Sequence, residues 1–280
     1  MVKSMNIPAL IAKAQKLQSL VTGPEILVLP NVWDAGSTRI VADAGFQVIA
    51  TSSAGIAWSL GYADGENIQR NDMLFMVQRI SHTVDLPVTA DMEAGYGENP
   101  EAVAETLLET LKAGAIGANF EDSLSKPKGR ELLEFKLSVE RIQAARVAAN
   151  SVDVPFVINA RTDGFYGSRN DDPFNEAVQR ANAYLEAGAD SVFVPFVNNK
   201  NLITRLVKEI DGPINILLGP SSPTIPELKE IGVARVSIGG LFSLMSYTNI
   251  RKACAEIHDD GTYSWAQNAL THPEMNKLMS

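Results

Sequence analysis

The chain has a single cysteine, Cys254, in 280 residues. One thiol excludes an intrachain disulfide framework and any cysteine-rich metal centre, and it fits a reducing compartment. Histidine is nearly as scarce: His82, His258 and His272 fall in helical stretches or in the tail, where none is placed to act as a base or zinc ligand. Positive charge is short as well, with 24 Lys and Arg against 33 Asp and Glu and a net charge of −9. No basic stripe exists to neutralise phosphates, so a nucleic-acid partner is not expected. A small anionic substrate remains open, because a local arginine and a metal can outweigh the global field. Long apolar runs are missing too. The N-terminal MVKSMNIPALIAKAQKLQSL is broken by polar residues every few positions, and no later run reaches the length of a membrane span. The expectation is a cytoplasmic protein with no membrane partner.

What the chain does have is alternation. Strands are expected at 26–30, 47–51, 87–91, 115–120, 154–160, 190–196, 213–218 and 234–238. Helices are expected at 34–44, 67–84, 99–113, 135–150, 173–187, 201–210, 224–231 and 241–257, with residues 52–64 and 123–131 as loops. Four helix ends carry the same punctuation, at Ala44-Gly45, Ala113-Gly114, Ala187-Gly188 and Ile231-Gly232. Each glycine suits the left-handed position that closes a helix before a strand. Apolar strands alternating with helices are parallel and covered by helices. Eight such units predict an α/β fold, a (β/α)8 TIM barrel, spanning 1–280 as one domain. A helix within 1–25 precedes it, and a partly helical tail, 258–280, follows. The runner-up, an open doubly wound sheet, lacks its glycine-rich fingerprint, since the first turn reads Pro30-Asn31-Val32-Trp33-Asp34.

In such a barrel the chemistry sits at the C-terminal ends of the strands. The third strand runs Val88-Thr89-Ala90-Asp91-Met92-Glu93, and on a strand Asp91 and Glu93 would project to one side. Two converging carboxylates need a cation or a proton between them. Thr51, Ser52, Ser53 and Asp64 follow the second strand, and Asn119, Glu121 and Asp122 end the fourth. Asn159, Arg161, Thr162 and Asp163 end the fifth, and Asn215 lies within the seventh. Four acids at adjacent ends, with no lysine or histidine among them, point to a hard cation: Mg²⁺, with Mn²⁺ as the alternative. Arg161 faces the same bowl, either to bind a substrate carboxylate bidentately or to pair with Asp163 or Glu121 in the empty enzyme. No lysine stands at a strand end, which disfavours Schiff-base chemistry. A metal-assisted reaction through an enolate-like intermediate fits these groups.

Several motifs in order resemble the isocitrate lyase/phosphoenolpyruvate mutase superfamily: Leu29-Pro30-Asn31-Val32-Trp33-Asp34, Thr51-Ser52-Ser53-Ala54-Gly55-Ile56-Ala57, Ala90-Asp91-Met92-Glu93-Ala94-Gly95-Tyr96-Gly97, Asn119-Phe120-Glu121-Asp122 and Asn159-Ala160-Arg161-Thr162-Asp163. The resemblance implies Mg²⁺ near Asp91, held directly or through waters ordered by Asp64, Glu93 and Glu121. It implies that the amides around Ala54, Gly55 and Ile56, next to Ser53, bind a substrate carboxylate and oxo group, and that Arg161 binds carboxylate. Substrates would be small 2-oxo or 2-hydroxy acids cleaved next to the carboxylate by a lyase or decarboxylase. The assembly would be a homotetramer that exchanges a C-terminal helix lying somewhere in 262–280. Two family motifs are missing. The cysteine-containing loop is replaced by Ser123-Leu124-Ser125-Lys126-Pro127-Lys128-Gly129-Arg130, and the sixth strand ends Val194-Pro195-Phe196 with no histidine. The first turns expectation away from isocitrate cleavage, with Tyr96, Tyr62 or water as the replacement proton donor. The second turns it away from P–C bond chemistry on phosphonopyruvate. That chemistry and a non-catalytic metabolite-binding barrel are the alternatives.

Overall fold

Apolar runs become strands and amphipathic stretches become helices in the expected order in a computed structural model, which describes residues 6–126, 129–167 and 172–280. The elements are α1 (Ile7–Val21), β1 (Leu27–Leu29), β2 (Asn31–Val32), α2 (Ala35–Asp43), β3 (Ile49–Thr51), α3 (Ser53–Ser59), α4 (Arg70–Ser81), β4 (Val88–Asp91), α5 (Pro100–Lys112) and β5 (Gly117–Glu121). Then come β6 (Ser123–Lys126), β7 (Gly129–Leu132), α6 (Phe135–Asn150), β8 (Val157–Arg161), α7 (Gly164–Gly167), α8 (Pro173–Glu186), β9 (Ser191–Val194) and α9 (Lys200–Glu209). The last are β10 (Ile214–Leu217), α10 (Ile225–Ile231), β11 (Arg235–Ser237), α11 (Leu241–Asp260), a 3₁₀ turn (Ser264–Asn268) and α12 (His272–Met279).

Nine parallel segments form one sheet in the order β1-β11-β10-β9-β8-β5-β4-β3-β2. Its two ends are consecutive in the chain, separated by Pro30 alone. Proline has no N–H to give a ladder, so the first strand splits there. Its first half pairs with β11 and its second with β3, which closes the ring. Asn31 spans the seam. Its Nδ2 donates to the Thr51 carbonyl at 2.7 Å, and its Oδ1 accepts the Ile238 and Gly239 amides at 2.9 Å each. The expected eight strands are therefore present with the first in two pieces. The four predicted helix-closing glycines all have left-handed φ: Gly45 +88°, Gly114 +96°, Gly188 +105° and Gly232 +96°.

Two expectations need correction. Residues 52–64 are not a simple loop: Ser52 caps α3 by accepting the Gly55 amide at 3.2 Å. Residues 123–131 form the antiparallel β6–β7 hairpin. At the C-terminus both α11 and the tail are largely bare. Ser243 is the one buried residue of α11, while Leu244, Met245, Tyr247, Ile250 and Ile257 are exposed. α12 packs on α2 of its own chain. Among the described residues no helix is long and apolar enough to cross a membrane.

Candidate active site

The site lies where β3, β4, β5 and β8 end. Parallel register sets Asp91 beside Asn119, and Glu121 beside Arg161. The Asp91 amide donates to Thr51 Oγ1 at 2.8 Å, and its Oδ2 accepts the Ser53 hydroxyl at 2.8 Å and the Ser53 amide at 3.2 Å. The strand stops at Asp91. Glu93 has φ +51° in a turn that also holds Gly95 at +87° and Tyr96 at +59°. The two acids therefore do not share a strand face, as their spacing predicts. Glu93 reaches the cluster because the Glu66 amide donates to its Oε2 at 2.6 Å, while Glu66 Oε1 accepts the Tyr96 amide at 2.8 Å. From α6, the buried Arg141 donates to the carbonyls of Ala94, Gly97 (2.5 Å) and Glu98 (2.8 Å), pinning the same turn from behind.

Burial, with Asp64, Asp91 and Glu121 adding to it, pushes the Glu93 carboxyl up to about 9. Burial and Asp91 raise Asp64, against the pull of Arg130 and Arg161. Arg161 donates from Nε to Asp163 Oδ1 at 2.7 Å and from Nη2 to Asp163 Oδ2 at 3.2 Å, and its Nη1 lies 2.7 Å from Glu121 Oε2. The ion pair anticipated for the empty site is thus made with both acids. Phe193 and Phe196 put their rings 5.6 and 5.9 Å from the guanidinium carbon. Burial would lower the Arg161 pKa, but Asp163 and Glu121 outweigh it and hold the charge. Burial would likewise raise Asp163, but Arg161 and Arg130 keep it below the ordinary value. Behind the strands, Asp122 takes the Asp163 amide at 2.8 Å and the Tyr184 hydroxyl at 2.7 Å, with the buried Arg180 beside it.

The predicted residues separate into two groups. Asp64, Asp91, Glu93, Glu121 and Arg161 converge, and Ser53 touches Asp91. Ala54, Gly55 and Ile56 form the first turn of α3, where the Gly55 and Ile56 amides are already bonded to Ser52. Asn215 is sealed inside the barrel, in register with Phe193 and Arg235, and donates to Ser237 Oγ at 3.1 Å. Tyr96 has its hydroxyl buried near Glu93 and Glu66, and burial first, then these carboxylates, raises its pKa. Tyr62 is largely exposed.

Sequence reasoning missed Arg130, Glu66, Arg141 and Arg235. The Arg130 signal is the basic run at 126–130. For Arg235 it is a charged residue in a short strand, Ala234-Arg235-Val236-Ser237-Ile238. Buried on β11, Arg235 donates to Asn119 Oδ1 at 3.3 Å, and burial pulls its pKa down to about 10 against the attraction of Asp91.

Asp64 Oδ1 and Glu93 Oε1 are buried carboxylate oxygens with no hydrogen-bond partner. Hard oxygen donors of this kind suit Mg²⁺ or its bound waters. Among the described residues no three Asp, Glu, His or Cys side chains form a ready cage for direct ligation. The fit to a hydrated cation rests on those two unpartnered oxygens.

Residues 17–258 match the family model for phosphoenolpyruvate phosphomutase. The chain belongs to the phosphoenolpyruvate mutase/isocitrate lyase superfamily. The superfamily's structural relatives extend over the whole barrel. A Burkholderia cenocepacia protein described only as a candidate lyase or mutase is 33% identical, with a TM-score of 0.91 over 98% of this chain and 97% of that one. Oxaloacetate acetylhydrolase, solved with 3,3-difluorooxalacetate, is 25% identical, with a TM-score of 0.85 over 96% and 93% of the two chains. In sequence, the 2,3-dimethylmalate lyase of Eubacterium barkeri is 28% identical over 95% of this chain and 93% of its own. Superfamily enzymes of this kind are lyases, mutases and hydrolases of small carboxylates.

Proposed function

We propose that this superfamily member is a Mg²⁺-dependent lyase or decarboxylase. It would act next to the carboxylate of a small 2-oxo or 2-hydroxy dicarboxylic acid, through an enolate. The observation that carries this reading is the convergence of Asp64, Asp91, Glu93 and Glu121, two of them with unpartnered oxygens, opposite a charged Arg161. Asp91 would hold the ion, and Asp64, Glu93 and Glu121 would order its water shell. Bound there, Mg²⁺ would supply Lewis-acid stabilisation of the developing enolate oxygen.

The protein's own groups do the rest. Arg161 orients the carboxylate with the N–H groups that Glu121 and Asp163 leave over. Ser53, at the start of α3, fixes the Asp91 carboxylate. In the metal-free protein burial keeps a proton on Glu93, and the buried Tyr96 hydroxyl beside Glu93 and Glu66, rather than the exposed Tyr62, would serve in place of the absent loop cysteine. Relatives named for C–C and for P–C chemistry both match, and the reading for a C–C bond is supported by the missing histidine at Val194-Pro195-Phe196. The exposed apolar residues of α11 support a homo-oligomer, a tetramer by the family pattern, in which α11 is covered by another copy.

The test is a panel of oxaloacetate, methylisocitrate, dimethylmalate and phosphonopyruvate with Mg²⁺, followed by release of pyruvate, glyoxylate or oxalate. Cleavage of one dicarboxylate, abolished by chelation, is expected. Turnover of phosphonopyruvate alone would replace this reading with P–C chemistry. No turnover of any member, with oxalate still bound, would point to a metabolite-binding barrel.

A further inference from the structure

Arg130 stands in the mouth of the barrel, and nothing above gives it a task. It projects from β7, at the position that pairs with Ser125 of β6. From Nη1 it donates to Glu121 Oε1, to Asp163 Oδ2 at 3.1 Å and to Ser123 Oγ at 3.3 Å, and its Nη2 lies 3.8 Å from Asp64 Oδ2. Arg161 grips the same two acids from the other side, at 2.7 Å from Glu121 Oε2 and 2.7 Å from Asp163 Oδ1. Two guanidiniums therefore share two carboxylates in a box of alternating charge.

The two arginines are not equivalent. Arg161 is fixed on a barrel strand with 11% of its side chain exposed. Arg130 is carried by the hairpin, is 17% exposed, and makes its weakest contact with Asp64, toward the open side. A substrate with two anionic groups must enter a bowl that already holds Asp64, Asp91, Glu121 and Asp163. One arginine can pair with one carboxylate, and a second carboxylate left among these acids would be repelled. Arg235 cannot serve, because it is sealed in the barrel below. A guanidinium has five N–H donors, so Arg130 can exchange its long Asp64 contact for a ligand while keeping Glu121.

We infer that Arg130 is a specificity-determining residue: it binds the distal acidic group of the substrate while Arg161 holds the carboxylate next to the reacting bond. The site would thereby prefer diacids to monoacids of the same length. This rests on the function proposed above. A purely structural alternative makes Arg130 a tie that anchors the hairpin, and that tie would be indifferent to the far end of a ligand.

The experiment titrates full-length protein, with Mg²⁺ present, with malate and with 2-hydroxybutyrate, which differ by a distal carboxylate in place of a methyl group. Oxalate is the reference ligand, and the proteins are wild type, Arg130→Gln and Arg130→Lys. The wild type is expected to prefer malate. Arg130→Gln should weaken malate by roughly 10- to 100-fold, the size of one lost charge-assisted contact. It should leave 2-hydroxybutyrate and oxalate nearly unchanged, and Arg130→Lys should recover part of the preference. Equal weakening of all three ligands, or no change in any, would overturn the assignment. Should Arg130→Gln fail to fold, Arg130→Lys carries the test: malate weakened more than oxalate supports the assignment, and equal weakening of the two, or of neither, overturns it. Oxalate failing to bind the wild type would instead sink the underlying function, so the two failures are told apart.

Discussion

Glu93 is buried, has left-handed φ, and keeps one carboxylate oxygen without a partner. That combination is costly for a charged group and is the kind of strain that collects at functional sites. It also sets a pH signature. A carboxyl whose folded pKa is raised to about 9, from an ordinary value of 4.5, binds more protons folded than unfolded between those values. In the metal-free protein its contribution is therefore fully present below about pH 4.5 and is lost as pH rises through about 9. Glu93→Gln should flatten that decline in urea unfolding between about pH 5 and about pH 9. A slope identical to wild type would show that Glu93 ionises normally. Asp91, Glu93, Glu121 and Arg161 were legible in the sequence because acids at strand ends are chemically conspicuous. The reason given for Glu93 was only half right. Its place depends on a turn and on the Glu66 amide, neither of which periodicity reveals. Arg130 was hidden because a basic run between two strands reads as an ordinary solvated loop.

Among the elements, the strands and long helices were legible because their apolar periods are strong and four glycines mark the helix ends. Two elements were not. α3 is seven residues rich in Ser, Ala and Gly, and it forms because Ser52 caps it. Glycine at position 55 is needed there for close approach, since a Cβ would lie 2.9 Å from Trp33 Cβ. The β6–β7 hairpin has no apolar alternation to announce it. The turn after β4 depends on a contact from a distant helix, where Arg141 serves three carbonyls. Removing it leaves buried acceptors unmet, at about 1–3 kcal/mol for each one that finds no water. Arg141→Met is expected to lower unfolding free energy by about 3 kcal/mol and to weaken Mg²⁺ binding by displacing Glu93. Full Mg²⁺ affinity in a destabilised variant would confine Arg141 to a structural part.

At the scale of the molecule, the long helices α1, α4, α5, α6 and α8 each bury a face, whereas the C-terminal elements do not. α11 exposes Leu244, Met245, Tyr247, Ile250 and Ile257 along a 20-residue helix. Exposed apolar side chains in such number are what an interface between copies would cover, in line with the homo-oligomer proposed above. Light scattering is expected to give a homo-oligomer, and the double substitution Leu244→Glu, Ile250→Glu should reduce its mass. A monomeric wild type would remove the interface. The resemblance implies exchange of a helix in 262–280; α12 touches its own α2 yet buries no residue, so α11 and the tail are both candidates for the covered surface.

The chemistry proposed for the mouth depends on one cation joining Asp91 to an enolate-like ligand. Oxalate, planar with two adjacent oxygens, mimics that ligand without being cleaved. Calorimetric titration of oxalate into wild type and Asp91→Asn, each with and without Mg²⁺, tests the dependence directly. Binding should require Mg²⁺ and should weaken by about 100-fold or more in Asp91→Asn, the equivalent of about 2.7 kcal/mol. Oxalate binding of equal strength without Mg²⁺, or unchanged in Asp91→Asn, would contradict it.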